Sequence, residues 1–79
     1  MQIGCGVYEH TVRGRPYLYF WHYEARGGRR VQIKEYVGAA RLDRTRTEAA
    51  RRCEAYYRRA ADTLVRMRDA ALASLAASG

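Results

Sequence analysis

The feature that most constrains the fold is the aromatic run YLYFWHYE at residues 17–24, which lies between two short segments rich in arginine and glycine. Aromatic residues favour strands, and the run contains neither Gly nor Pro. The flanking segments suit hairpin turns, because glycine adopts positive φ without strain. The turns are predicted at residues 13–16 and 25–28, and the outer strands at residues 6–12 and 29–37. The sequence therefore predicts a three-stranded antiparallel meander over residues 6–38.

Residues that alternate along a strand divide between the two faces of the sheet. One predicted face is apolar and forms the core with Leu18, Phe20, Val31 and Ile33. The opposite face carries the aromatic, cationic and amide side chains Tyr17, Tyr19, Trp21, Tyr23, Arg30, Gln32, Lys34 and Tyr36. A shift of one residue in the second strand would exchange its two faces, so the alternation leaves open which of them is buried.

The pattern becomes helical after the sheet. Thr45 and Glu48 have the spacing of a capping box, which predicts a helix over residues 45–77. Apolar residues recur there at spacings of three and four, at Ala50, Cys53, Tyr57, Ala60, Leu64, Met67 and Ala71. Such a helix is ~48 Å long, whereas an eight-residue strand spans ~26 Å. The chain is thus predicted to be a single α+β domain over residues 1–79, whose helix is too long for its own sheet.

The net charge is +7, and 14 of the 15 cationic side chains are arginine. Such an excess attracts polyanions, and the guanidinium group binds phosphate in a bidentate way and stacks on bases. A GC-rich or thermophilic genome also favours arginine, so composition alone leaves a merely solvated basic surface open. Residues 41–59 have a net charge of +4, whereas residues 60–79 have none. This difference predicts a binding half and an assembly half of the helix.

Several classes of function lack support in the sequence. Paired carboxylates, a Ser/His/Asp set and a glycine-rich phosphate loop are missing, so we expect neither an enzyme nor a cofactor or small-molecule substrate. Cys5 and Cys53 match no zinc spacing, so no metal is expected, and whether they form a disulfide stays open. No stretch approaches the ~20 apolar residues of a membrane span, and no signal peptide is visible. We therefore expect an intracellular protein, in the cytoplasm or nucleoid, without a membrane partner.

Cations at the predicted turns and on the helix complete the candidate nucleic-acid-binding residues. These are Arg13, Arg15, Arg26 and Arg29 in the turns, and Arg51 and Arg52 on the helix. Few core-forming side chains are present, so a domain of this size is marginal alone and self-association is expected. The predicted contact residues of a homodimer are Leu64, Met67, Ala71, Leu72 and Leu75 in the uncharged half of the helix.

The run YLYFWHYEARGGRRVQIKEYVG, followed by RTRTEAARRCEAYYRRA, resembles the arm-type N-terminal DNA-binding domain of phage-type tyrosine integrases. It is also similar to short stand-alone archaeal, viral or plasmid DNA-binding proteins. The resemblance covers residues 6–60 and rests on an aromatic second strand, a glycine-containing turn, a basic third strand and a Thr-x-x-Glu-Ala helix start. It implies a sheet in the major groove of duplex DNA. The residues facing DNA would be Arg15, Tyr17, Tyr19, Trp21, Arg30, Gln32 and Lys34.

The sequence departs from that family in two ways. No recombinase catalytic domain follows, so recombination is not expected, and the helix is longer than usual, which again favours self-association. The leading hypothesis is therefore a dimeric duplex-DNA-binding protein in DNA packaging or regulation. One alternative is an RNA-binding protein, because a sheet with a helix also suits structured RNA. Another is an assembly or adaptor protein that binds a protein partner through its aromatic face, since Tyr, Trp and Arg are enriched at interface hot spots.

Overall fold

A computed structural model describes residues 4–78, which form a three-stranded antiparallel sheet in the order β1-β2-β3 and one long helix. The elements are β1 (Cys5–Val12), β2 (Arg15–Arg26), β3 (Arg29–Ala39) and α1 (Asp43–Ser78). The predicted α+β class and the meander are confirmed. All three strands extend slightly beyond their predicted bounds, and the helix begins two residues earlier than predicted.

Both hairpins turn through two residues. Gly27 and Gly28 have φ values of 57° and 77°, the left-handed values that a type I′ turn needs. In the first turn Gly14 has φ 78° and is preceded by Arg13 with φ 52°. A left-handed backbone brings the Cβ of a non-glycine residue close to the following carbonyl oxygen, at a cost of roughly 1–2 kcal/mol. Backbone preference therefore does not explain an arginine at position 13.

The helix covers one side of the sheet, which we call the helix-facing side. Its members, read from the cross-strand pairs, are Cys5, Val7, Glu9, Leu18, Phe20, His22, Glu24, Val31, Ile33 and Glu35. Phe20 is 4% exposed and stacks on the buried ring of His22, with ring centroids 5.1 Å apart. The His22 ring in turn lies 5.8 Å from that of Tyr56 on α1. The prediction that Leu18, Phe20, Val31 and Ile33 share the covered face is confirmed.

The start of the helix differs from the predicted capping box. The carbonyl of Leu42 accepts hydrogen bonds from the backbone N–H groups of Thr45 (3.1 Å) and Arg46 (3.4 Å), so Leu42 occupies the cap position. Thr45 lies in the first turn and is buried against the sheet. The carboxylate of Glu48 accepts hydrogen bonds from Arg51 and Arg52. The capping-box prediction is wrong, because Thr45 serves the contact between helix and sheet.

Small residues bring the helix close to β3. A Cβ added at Gly38 would lie 2.7 Å from Oγ1 of Thr45, a separation that real Cβ atoms do not show. Ala49, one turn further along α1, is 3% exposed. The helix therefore meets the sheet through Gly38, Thr45 and Ala49, where large side chains would hold the two layers apart.

The stripe of α1 that faces the sheet is offset from the predicted stripe. Ala49 and Tyr56 lie against the sheet, whereas Ala50 and Tyr57 are exposed. A repeat of three and four residues has a period of 3.5, while a straight helix has 3.6, so the two drift apart by ~20° every seven residues. At 100° per residue Met67 lies on the same side of the helix as Ala49, so its exposure comes from its position further along α1 and not from rotation.

The second half of α1 extends beyond the sheet. All residues from 64 to 77 are exposed, and Leu72 and Leu75 have 58% and 71% of their surface accessible. The molecule accordingly measures 64 × 25 × 12 Å. The expectation that the helix is too long for its own sheet is confirmed. Within residues 4–78 no helix combines the length and the apolar character needed to cross a membrane.

Candidate nucleic-acid interface

The side of the sheet opposite α1, which we call the open face, carries side chains from all three strands. The larger side chains that alternate onto it are Tyr8, His10, Val12, Arg15, Tyr17, Tyr19, Trp21, Tyr23, Arg30, Gln32, Lys34 and Tyr36. Seven of the twelve predicted nucleic-acid-binding residues are among them: Arg15, Tyr17, Tyr19, Trp21, Arg30, Gln32 and Lys34. Strand alternation thus brings the sheet part of the predicted site onto a single surface that the helix leaves uncovered.

Charge is segregated between the two sides of the sheet. Its three glutamates, Glu9, Glu24 and Glu35, all belong to the helix-facing side. Within the described chain, strand residues on the open face include cations but no carboxylate. The cations of the open face therefore have no carboxylate beside them on the same face of the described strands, an arrangement that attracts anions.

The aromatic rings of the open face contact one another in a continuous row. Tyr8 stacks on Tyr19 at a centroid distance of 5.4 Å, and Tyr36 meets Tyr19 edge-on at 5.6 Å. The His10 ring lies 6.0 Å from Tyr19, and Tyr17 lies 6.0 Å from Tyr36. Rings held by such pairs have little rotamer freedom to lose when a ligand binds. Among the tyrosines of this row Tyr36 is the most exposed, with 56% of its surface accessible.

Trp21 and Tyr23 extend this row towards the second turn. A Cβ added at Gly6, opposite Trp21 on β1, would lie 2.7–2.9 Å from the indole ring, so the ring rests directly over the glycine. The ring of Tyr23 lies 5.5 Å from that of Trp21. The guanidinium of Arg30 lies 4.5 Å above the centre of the Tyr23 ring, a cation–π contact that fixes its position.

The four predicted turn arginines lie at opposite ends of the sheet. Arg13 and Arg15 flank Gly14 at one end, and neither has an acidic partner within residues 4–78. At the other end Arg26 is bound to Glu24, with a distance of 3.1 Å, and belongs to the helix-facing side together with its cross-strand partner Arg29. The first turn is therefore better placed to contact a ligand on the open face than the second.

Arg51 and Arg52 lie on α1, in the other layer, and both are engaged with carboxylates. The Nε groups of Arg51 and Arg52 donate to Glu48 at 2.8 and 3.1 Å. These hydrogen bonds, that of Arg51 foremost, lower the pKa of Glu48 to about 2. The Nη1 group of Arg52 also donates to the carbonyl of Tyr36 at 3.2 Å and lies 3.7 Å from Oε1 of Glu35. The structure thus separates these two predicted residues from the open face.

The titratable groups of the helix-facing side serve packing. Cys5 and Cys53 are free thiols, and burial together with the contact to Cys53 raises the pKa of the Cys5 thiol to about 11. Nδ1 of His22 lies 3.6 Å from Oε1 of Glu24, and its Nε2 lies 3.7 Å from Oε2 of Glu35. In the described part of the chain, no group of three or more His, Cys, Asp or Glu side chains is arranged to hold a metal ion.

The sequence reasoning did not include Tyr8 and His10 in the site. Val7 and Val12 fall on opposite faces of β1, so the apolar pattern of that strand does not assign its sides. The pairs Tyr8–Tyr19 and His10–Tyr17 place both residues on the open face. The sequence did contain a signal: Tyr8 and His10 are two positions apart on β1, as Tyr17 and Tyr19 are on β2, which is the spacing of residues that share a face.

A comparison of the chain with protein families, with curated proteins and with solved structures finds no match in any of the three.

Proposed function

We propose that this protein binds nucleic acid, with duplex DNA as its main ligand, through the open face of its sheet. The observation that carries the proposal is the segregation of charge: within residues 4–78 the strand residues of the open face include cations and aromatic rings but no carboxylate. A surface of this kind matches a ligand that combines phosphates with planar bases.

The spacing of the polar side chains on β3 suits a groove. Arg30, Gln32 and Lys34 alternate along the strand, so they are roughly 6.8 Å apart, or about two base-pair steps of 3.4 Å. Arginine and lysine bind guanine edges or phosphates, and glutamine binds adenine in the major groove. An antiparallel sheet can lie in that groove with its side chains towards the bases. The neighbouring rings would contact sugars and the thymine methyl group.

The exposed half of α1 supports a homodimer. Two copies packed through Leu64, Met67, Ala71, Leu72 and Leu75 would bury the large apolar side chains that the fold leaves accessible. Residues 60–79 carry no net charge, so pairing them does not bring together the +7 of each chain, all of which lies in residues 1–59. A dimer that presents two open faces to one duplex would bind more tightly than either face alone, because the second face binds at a high effective concentration.

Binding is tested by fluorescence anisotropy with labelled duplex DNA, single-stranded DNA and duplex RNA, each over a salt series. We expect the tightest binding to duplex DNA, weakening steeply with salt, because each phosphate contact adds about 0.9 to the slope of log K against log salt. The double variant Arg30→Ala, Lys34→Ala should lower that slope by about 2. Arg59→Ala with Arg66→Ala is the matched control, since both arginines are exposed on α1.

The same series contradicts the proposal if no nucleic acid binds at low salt, or if the two double variants weaken binding equally. Tighter binding to RNA would favour an RNA-binding protein. A protein partner is the second candidate, favoured by the size of the aromatic row. Its binding should change little with salt, because an aromatic interface releases few counterions.

Dimerisation is tested by light scattering of the wild type and of Leu64→Glu with Leu72→Glu. We expect twice the chain mass for the wild type and a single-chain mass for the variant, because carboxylates would be buried in the apolar contact. Ala70→Glu with Ala73→Glu is the control, since at 100° per residue these positions lie on another side of the helix. A wild type that is monomeric at high concentration contradicts the dimer.

A further inference from the structure

Strand β3 contains a bulge that changes which of its residues belong to the open face. Tyr19 pairs with Tyr36, but the preceding residue, Leu18, pairs with Gly38, so Val37 is an extra residue with no cross-strand partner. Such a bulge shifts all residues that follow it by one position. From Gly38 onward, odd-numbered residues of β3 therefore lie on the open face, whereas even-numbered residues do so before the bulge.

The shifted register ends in a turn that contains Arg41. Ala39 pairs with Tyr17, and the N–H of Ala40 donates to the carbonyl of Pro16 at 3.1 Å, so hydrogen bonding to β2 continues one residue beyond β3. The N–H of Leu42 then donates to the carbonyl of Ala39 at 3.2 Å, and Arg41 lies within this turn. Without the extra residue Ala39 would pair with Pro16 instead of Tyr17, and the turn would begin one position further along β2. The bulge thus sets where the turn begins, at the end of the sheet where Arg15 and Arg41 line one space.

Arg15 and Arg41 line one cleft at this end of the sheet. Its walls are formed by Gly14, Arg15, Pro16, Tyr17, Ala39 and Arg41, and its volume is about 350 Å³. Arg13 and Arg15 line the neighbouring depression with Tyr17. A phosphate group is small enough for this space, and Tyr17 joins the cleft to the aromatic row of the open face.

The charges of the cleft are not compensated within the described chain. Neither the side chain of Arg15 nor that of Arg41 forms a hydrogen bond or ion pair with any residue from 4 to 78. The nearest carboxylate in sequence, that of Asp43, is bound to Arg46. Two guanidinium groups facing one space without an acid repel each other, and an anion between them would turn that repulsion into attraction. Arg13, held in a left-handed conformation, adds a third cation at the rim.

We propose that the cleft between Arg15 and Arg41 binds one phosphate group of the nucleic acid that lies on the open face. The two guanidinium groups donate hydrogen bonds to the phosphate oxygens, and the Tyr17 ring forms the wall towards the adjoining nucleotide. This inference rests on the proposed function and deepens it, since it names the point at which the ligand backbone is held. Arg41, which the sequence pattern does not single out, becomes part of the site.

The experiment compares Arg41→Gln with Arg44→Gln. Both remove one exposed arginine that has no acidic partner in the described residues, but Arg44 lines a different cleft, with Thr45 and Glu48. We expect Arg41→Gln to lower the salt slope of duplex binding by about 0.9 and Arg44→Gln to leave it unchanged. Circular dichroism confirms that both variants fold. Equal slopes for the two variants would overturn the inference while leaving the proposed function intact.

A second measurement does not depend on nucleic acid. Inorganic phosphate is titrated against chloride at constant ionic strength while the arginine Nε–Hε signals are followed by NMR. We expect the signals of Arg15 and Arg41 to shift more than that of Arg44, and the Arg15 shift to shrink in Arg41→Gln. Shifts of equal size for all arginines would contradict phosphate binding between Arg15 and Arg41. If phosphate shifts only these two signals but no nucleic acid binds, the result supports phosphate binding in the cleft and contradicts the proposed function.

Discussion

The two sides of the sheet are built from the same three strands, yet their chemistry is opposite. The helix-facing side holds Phe20, His22 and all three sheet glutamates, of which Glu24 is paired with Arg26 and Glu35 with Arg52. The open face holds stacked rings and cations without acids in the described strands. Alternation therefore places every acid of the described strands on one side of the sheet, while cations occur on both sides. Charge compensation on one side leaves the other side free to attract a polyanion.

Substituting the central core residue tests the difference in burial most strongly. Phe20→Ala should lower the free energy of unfolding by about 3–5 kcal/mol, because it removes a buried ring and leaves a cavity. Tyr19→Ala on the open face is the matched change and should cost roughly 1–2 kcal/mol, the value of its lost ring contacts. Urea unfolding followed by circular dichroism measures both. Equal losses would mean that the two sides do not differ in packing.

The reactivity of Cys5 tests how well the helix-facing side is shielded. Its pKa is raised from 9.0 to about 11, chiefly by burial, so at pH 8 its thiolate fraction is roughly 100-fold below that of an unfolded thiol. We expect alkylation of Cys5 by iodoacetamide to be slower by that factor in the folded chain than in urea, as measured by peptide mass spectrometry. Cys53→Ser should preserve most of the protection, because burial remains.

The raised pKa of Cys5 also makes the stability of the fold depend on pH. The unfolded chain loses the Cys5 proton at a lower pH than the folded chain, so the stabilisation is complete below pH 9 and is lost as the pH rises towards about 11. Cys5→Ala should therefore flatten the decline of the melting temperature over this range. A decline that is identical in wild type and variant would assign it to other groups.

A smaller change tests the order of the open face. Gly6→Ala forces the indole of Trp21 to move, because the new Cβ would lie within 3 Å of it. We expect a shift of the tryptophan emission maximum with little loss of stability, since the ring lies on the open face, which the helix does not cover. Gly4→Ala is the control, as its Cβ would meet Tyr23 at an ordinary 3.5 Å. The same spectrum for both variants would indicate that Trp21 is not held over Gly6.

Local patterns account for most of the fold and for the sheet part of the site. Glycine-containing turns and the period of two are properties of neighbouring residues, so the meander, the covered position of Phe20 and the shared face of Tyr19, Trp21 and Lys34 could be predicted. The excess length of the helix relative to the strands could also be predicted, because helix length follows from the number of residues alone. The dimer and the nucleic-acid ligand remain proposals.

The tertiary structure decided the features that depend on contacts between distant residues. The phase of α1 is set by the fit of Thr45 against Gly38, so Ala49 and Tyr56 face the sheet instead of Ala50 and Tyr57. The bulge at Val37 is an irregularity in the pairing of β3 with β2, and it decides which residues of β3 after Tyr36 lie on the open face. By itself the sequence determines periodicity and turns, which are local. Register shifts and helix rotation are decided by packing between layers, which no repeat along the chain records.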